Sequence, residues 1–96
     1  MNKFGELIRF KRESSNMLLR HLAADLDIDT GMLSKIERGE KLAKRELITQ
    51  LAELFKLDEG ELLSFWLADQ VYSLVGGEKD ALTVIKLVEQ ELINNK

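Results

Sequence analysis

Residues 22–39, LAADLDIDTGMLSKIERG, read as a short helix, a turn of about four residues and a second short helix. Leu19, Leu22, Ala23 and Leu26 recur at the i, i+3, i+4, i+7 spacing of one buried face, which predicts the first helix over 18–26. Two helices that cross steeply at close range need a small residue at the crossing, and Ala23 supplies it. Leu26 and Ile28 are placed to plug the turn. Asp29 then offers a carboxylate to the free amides of Gly31 or Met32, and its charge suits a helix N-terminus. In the second helix Leu33 and Ile36 face inwards, which leaves Thr30, Gly31, Met32 and Lys35 on the outward surface near its start. Gly39 ends it.

On the N-terminal side, Phe4, Leu7 and Ile8 share a stripe of a helix predicted over 3–14, and Lys11 continues that stripe with its alkyl stem. Ser14-Ser15-Asn16 breaks it. On the C-terminal side, Leu47, Ile48, Leu51, Ala52 and Phe55 mark a fourth helix, broken at Leu57-Asp58. Asp58-x-x-Glu61 is a capping-box-like start for a fifth helix running towards Val75, with Leu62, Leu63, Trp66, Leu67, Val71 and Leu74 as its apolar face. Gly76-Gly77 closes that helix. A sixth, over 80–93, sets Ala81, Ile85, Val88 and Leu92 on a heptad-like seam with Val84 and Leu87 beside it. The chain has no proline, so caps, glycines and phase changes supply all of these boundaries.

Ninety-six residues suffice for one modest core. With 45% hydrophobic and 32% charged residues, and no apolar run long enough to span a bilayer, a soluble cytoplasmic protein without a membrane partner is expected. The first residues lead straight into an amphipathic pattern, unlike a secretory signal. Zero cysteines and one histidine, His21, leave no credible metal site, no cofactor and no nucleophile–base set, so no catalytic residue and no enzyme is expected. Gly76-Gly77-Glu78-Lys79 follows no strand and reads as a helix break, not a phosphate loop. His21 is expected at the surface, and Trp66 and Tyr72 in core or interface packing.

The formal charge of −3 is unevenly spread. Residues 1–56 hold 11 of the 14 Lys/Arg and 9 of the 17 Asp/Glu, whereas the rest of the chain holds 3 and 8. Any contact with phosphate therefore belongs to the first half.

Residues 4 to about 63 resemble the Cro/C1-type (XRE-family) helix-turn-helix domain of phage repressors and many bacterial regulators. Leu33, Ser34, Ile36, Glu37 and Gly39, within LSKIERGE, fit that family's apolar-Ser-x-apolar-Glu-x-Gly motif, and the spacing of five helices fits as well. The resemblance implies an all-α, five-helix, lambda-repressor-like DNA-binding domain over 1–63, with an added C-terminal helical extension over 64–96. It further implies that Thr30, Gly31, Met32 and Lys35 face base edges in the major groove, and that Glu37 forms a structural ion pair with Arg12. Arg38, Lys41, Lys44 and Arg45 fall where the family grips phosphates, contacts that fix register while base contacts specify.

Three positions depart from the family pattern. The family's turn glycine is Asp27 here, which predicts a left-handed backbone that Asp tolerates at some cost. The polar start of the family's second helix is Leu18-Leu19, so a side-chain DNA contact is lost there and Arg20 becomes the substitute phosphate anchor. Gly31 and Met32 offer no side-chain hydrogen bonds, which leaves Lys35 and Thr30 as polar readers and gives DNA shape a share in specificity.

The C-terminal third is acidic and apolar, and its sixth helix carries more apolar surface than one neighbour can cover. The simplest partner is a second copy, meeting through Leu67, Val71, Leu74, Ile85, Val88 and Leu92, so that a homodimer reads a palindromic operator in double-stranded DNA. The alternative is a sixth helix that folds back on its own core. The expected function is a sequence-specific transcriptional regulator, a repressor or autoregulator. The alternatives are an antitoxin or restriction-modification controller, with a second protein held by the C-terminal helices, and a protein-interaction module that has lost DNA binding.

Overall fold

Four of the helix ends explain how a chain without proline stops its helices. In the computed structural model, which describes residues 1–95, the elements are α1 (Lys3–Ser14), α2 (Leu19–Asp25), α3 (Thr30–Glu37), α4 (Glu46–Phe55), α5 (Glu59–Val75) and α6 (Ala81–Asn94). Lys96, the last residue of the expected extension, lies outside the described residues. The chain is all-α, without a strand among the described residues. Helices α1 to α4 each end on a residue in the left-handed region: Asn16 (φ 56°), Asp27 (φ 55°), Gly39 (φ 76°) and Lys56 (φ 54°). The amide one residue further on reaches back five residues each time, from Met17 to Arg12, Ile28 to Ala23, Glu40 to Lys35 and Leu57 to Ala52, at 2.8–3.0 Å. That bond satisfies a carbonyl the helix itself leaves open. Three of the four residues giving it, Met17, Ile28 and Leu57, are apolar and pack against the core. The fourth, Glu40, is charged and exposed.

The helix starts follow from local chemistry. Asn2, Asp29 and Asp58 accept amide hydrogens from the first turns of α1, α3 and α5 respectively. Helix α2 has no such side chain, because Leu18 occupies its cap; the Leu18 amide donates instead to Nδ1 of the exposed His21 at 3.3 Å.

Ile8, Leu22, Leu33, Ile48, Leu51 and Leu62 are the largest fully buried side chains, drawn from α1 through α5. Burying each stabilises the fold by about 1.5–3 kcal/mol. Phe4, Ala23, Leu26, Ile36, Ala43, Leu47 and Ala52 complete the same cluster. Lys11 is half-buried on the α1 stripe and lines a groove with Leu7, Leu57 and Phe65.

Helix α5 passes position 63 without a break. Leu62 is buried and Leu63, Phe65 and Trp66 are half-buried against the core, whereas Leu67, Val71, Tyr72 and Leu74 are exposed. After Gly76, α6 contributes no buried residue, so it does not lengthen the core. No described helix is long and apolar enough to cross a membrane.

Candidate nucleic-acid interface

Helices α2 and α3 meet across the turn at Asp27, and three features fix the pose of α3. The Asp29 carboxylate accepts from the Gly31 and Met32 amides at 2.6 and 3.3 Å, which sets where the helix begins. Leu33 and Ile36 are buried and set which face points inwards. At its far end the Glu37 carboxylate takes a fork of bonds from Arg12, Nε to Oε2 at 2.8 Å and Nη2 to Oε1 at 3.1 Å. The remaining arm of that guanidinium, Nη1, donates to the Met17 carbonyl at 3.0 Å.

The Arg12–Glu37 pair is largely shut off from water, the side chains being 13% and 4% exposed. Its hydrogen bonds raise the Arg12 guanidinium above its ordinary value against the opposing effect of burial. The pair therefore pins α1 to α3 and offers nothing to a ligand.

Three further contacts hold the start of α1. A Cβ on Gly5 would come within 2.6 Å of the Ile36 and Glu37 carbonyl oxygens, so the α1 and α3 backbones touch there. Asn2 Nδ2 donates to the Glu37 carbonyl at 2.9 Å while Asn2 Oδ1 accepts from the Gly5 amide at 3.2 Å. Asp69, on α5, accepts from the Lys3 and Phe4 amides at 2.9 Å each and so caps α1 from across the molecule. Asn2 had a local signal, a cap-forming residue just before the first helix. Asp69 had none.

With α3 fixed in this way, Thr30, Gly31 and Lys35 are exposed. Met32 is different: it is half-buried, packs against the core, and joins Lys41, Leu42 and Lys44 in lining a groove between α3 and α4. Of the four outward-facing expectations, it is the one whose side chain is partly withdrawn. Arg38, Lys41, Lys44 and Arg45 are all exposed on the α3–α4 connection, and Arg20 is exposed on α2. Buried Ala43 anchors that connection, and its carbonyl accepts from Trp66 Nε1 at 3.0 Å.

Arg38 is occupied. Its Nε donates to Glu40 Oε2 at 2.6 Å, Nη2 to Glu40 Oε1 at 3.3 Å, and Nη1 to Ser34 Oγ at 2.6 Å. The hydrogen bond from Arg38 holds the Glu40 carboxyl below its ordinary range, helped by the charges of Arg38 and Lys35, and the same bond raises Arg38. Among the described residues no group of three His, Cys, Asp or Glu side chains could hold a metal ion.

The arrangement is a helix held rigidly from behind, with a bare, open N-terminal face and cations along its exit. A helix-turn-helix family model matches residues 8–62, more than half of the chain. No curated protein and no solved structure gives a match. The chain belongs to the Cro/C1-type (XRE) helix-turn-helix family and is a DNA-binding helix-turn-helix regulator.

Proposed function

We propose that the protein is a transcriptional repressor or autoregulator that binds a palindromic operator as a homodimer, each protomer laying α3 in the major groove. The observation that carries this is the exposed start of α3, with Thr30, Gly31 and Lys35 unobstructed and Arg38, Lys41, Lys44 and Arg45 along its exit. Lys35 suits guanine O6 and N7, and the Thr30 methyl suits a thymine methyl, each good contact giving about 1–3 kcal/mol of discrimination. The exit cations and Arg20 suit phosphates, which set register and affinity. Gly31 brings the backbone close to the bases without a side chain of its own.

The homodimer is supported by the apolar residues that α5 and α6 leave in water, Leu67, Val71, Leu74, Ile85, Val88 and Leu92 among them. A two-fold pair would set the recognition helices about 34 Å apart, one turn of B-DNA.

Selection of bound sites from a random duplex pool, followed by salt titration, tests the proposal. The expected result is a two-fold symmetric motif with log K falling against log salt by about 0.9 per phosphate neutralised. Lys44→Ala should flatten that slope on every sequence, whereas Lys35→Ala should mainly relax the preference at one base position. A motif without symmetry would remove the dimeric operator, and no binding at low salt would remove the proposal altogether.

A further inference from the structure

We infer that Glu40 is a built-in competitor for the DNA phosphate that Arg38 would hold, so that a phosphate takes the paired Nε–Nη2 edge of that guanidinium only by displacing a carboxylate. This rests on the proposed phosphate role of Arg38. A guanidinium has five N–H donors in a rigid fork that matches a carboxylate and a phosphate equally well. Here three of those donors are in use, Nε and Nη2 by the two Glu40 oxygens and Nη1 by Ser34 Oγ. A phosphate oxygen pair cannot take the Nε–Nη2 edge until Glu40 leaves it.

The position of Glu40 follows from the backbone. Its amide closes the left-handed cap of α3 on the Lys35 carbonyl at 2.8 Å, so its side chain starts from a fixed point two residues past Arg38. At the other three left-handed caps the corresponding residue is apolar and turns into the core, as Met17, Ile28 and Leu57 do. Glu40 instead stays in water beside Arg38. The two side chains are 50% and 54% exposed, so the exchange needs no unfolding and no buried charge is stranded.

Holding Arg38 in this way weakens contacts that read only the backbone and leaves the base-facing residues of α3 untouched. Because a phosphate contact is made on every sequence, the competition lowers duplex affinity uniformly and leaves the preference of the base-facing residues as it is. Glu40 thus sets overall affinity for duplex without touching a base.

The test is a cycle of Glu40→Gln, Arg38→Ala and the double variant, each full chain being titrated with random duplex and with the selected operator. An exposed pair of this kind and one removed negative charge together predict that Glu40→Gln tightens random-duplex binding about three- to ten-fold at low salt. The gain should be similar on random duplex and on operator, since both present the same phosphate. In the Arg38→Ala background Glu40→Gln should gain clearly less than in the wild-type background, since only the removed charge still acts there and no fork is left to release. Equal gains in both backgrounds would mean that Glu40 acts through its charge alone and would overturn the exchange. So would a wild-type protein that binds with a clear salt slope while Glu40→Gln gains nothing, and in that case the proposed function stands. If neither protein binds duplex at low salt, the proposed function falls and the inference with it. Unchanged helical circular dichroism in all three variants keeps the comparison clean, as both side chains lie at the surface.

Discussion

The indole Nε1–H of Trp66 donates to the Ala43 carbonyl at 3.0 Å and ties α5 to the connection that carries Lys41, Lys44 and Arg45. Ala43 is 3% exposed, so water cannot readily replace the lost donor. Trp66→Phe keeps most of the ring and removes the N–H; the expected cost is about 1–3 kcal/mol in urea unfolding. Because the flanking cations lose their anchor, duplex affinity should fall as well. A variant with unchanged stability would show that the contact holds nothing in place.

The Arg12–Glu37 pair should behave as a buried ion pair. Removing either partner strands the other, with an expected cost of about 3–5 kcal/mol for Glu37→Ala or Arg12→Ala. An apolar pair, Arg12→Met with Glu37→Leu, should cost clearly less than the two single changes added together. Urea midpoints of the three variants decide it, and a Glu37→Ala cost below about 1 kcal/mol would mean that the pair is effectively solvated.

What the sequence could tell about this fold was local. Asp29 at the start of α3, Gly39 at its end and the buried run Leu22, Ala23, Leu26 are written in short-range spacing, and the structure has each of them. The left-handed backbone at Asp27 was legible because a family glycine stands there. Those at Asn16 and Lys56 were not, since the cap is selected by the apolar residue that follows, Met17 or Leu57, and by the core it meets. Asp69 capping α1 joins residues too far apart in sequence for any periodicity to relate them. Met32 counts as outward by helical angle, yet the groove beside Leu42 draws its flexible thioether inwards. Leu67, Val71 and Leu74 continue the spacing of Leu62 and Leu63, but periodicity marks an apolar face without saying how far the core beneath it extends.

Asp27 should be improvable. A non-glycine residue in the left-handed region costs about 1–2 kcal/mol, whereas glycine visits it freely but loses about 0.5–1 kcal/mol in chain entropy. Asp27 is exposed, and among the described residues no side-chain hydrogen bond offsets the strain. Asp27→Gly should therefore stabilise the fold by up to about 1 kcal/mol, read as a higher urea midpoint at constant slope. Asp27→Val, with a branched Cβ, should destabilise it. A lower midpoint for Asp27→Gly would mean that the Asp side chain contributes something beyond its backbone angle.

The apolar seam of α6 gives the sharpest separation of folding from assembly. Val88 and Leu92 are 51% and 63% exposed, and α6 supplies no buried residue, so charges placed there cannot disturb the core. Val88→Glu with Leu92→Glu should leave the melting of the domain unchanged in a dilute sample of separated chains. In a proposed homodimer the same two charges would face their own copies across the two-fold axis and be driven apart. Sedimentation at micromolar concentration should show wild-type protein at twice the 11.0 kDa of one chain and the variant at that single mass. Operator affinity should drop steeply while half-site binding persists, because the recognition helix is intact and only the linkage between two copies is lost. Wild-type protein that sediments as a single chain would remove the homodimer and leave the seam to a different protein.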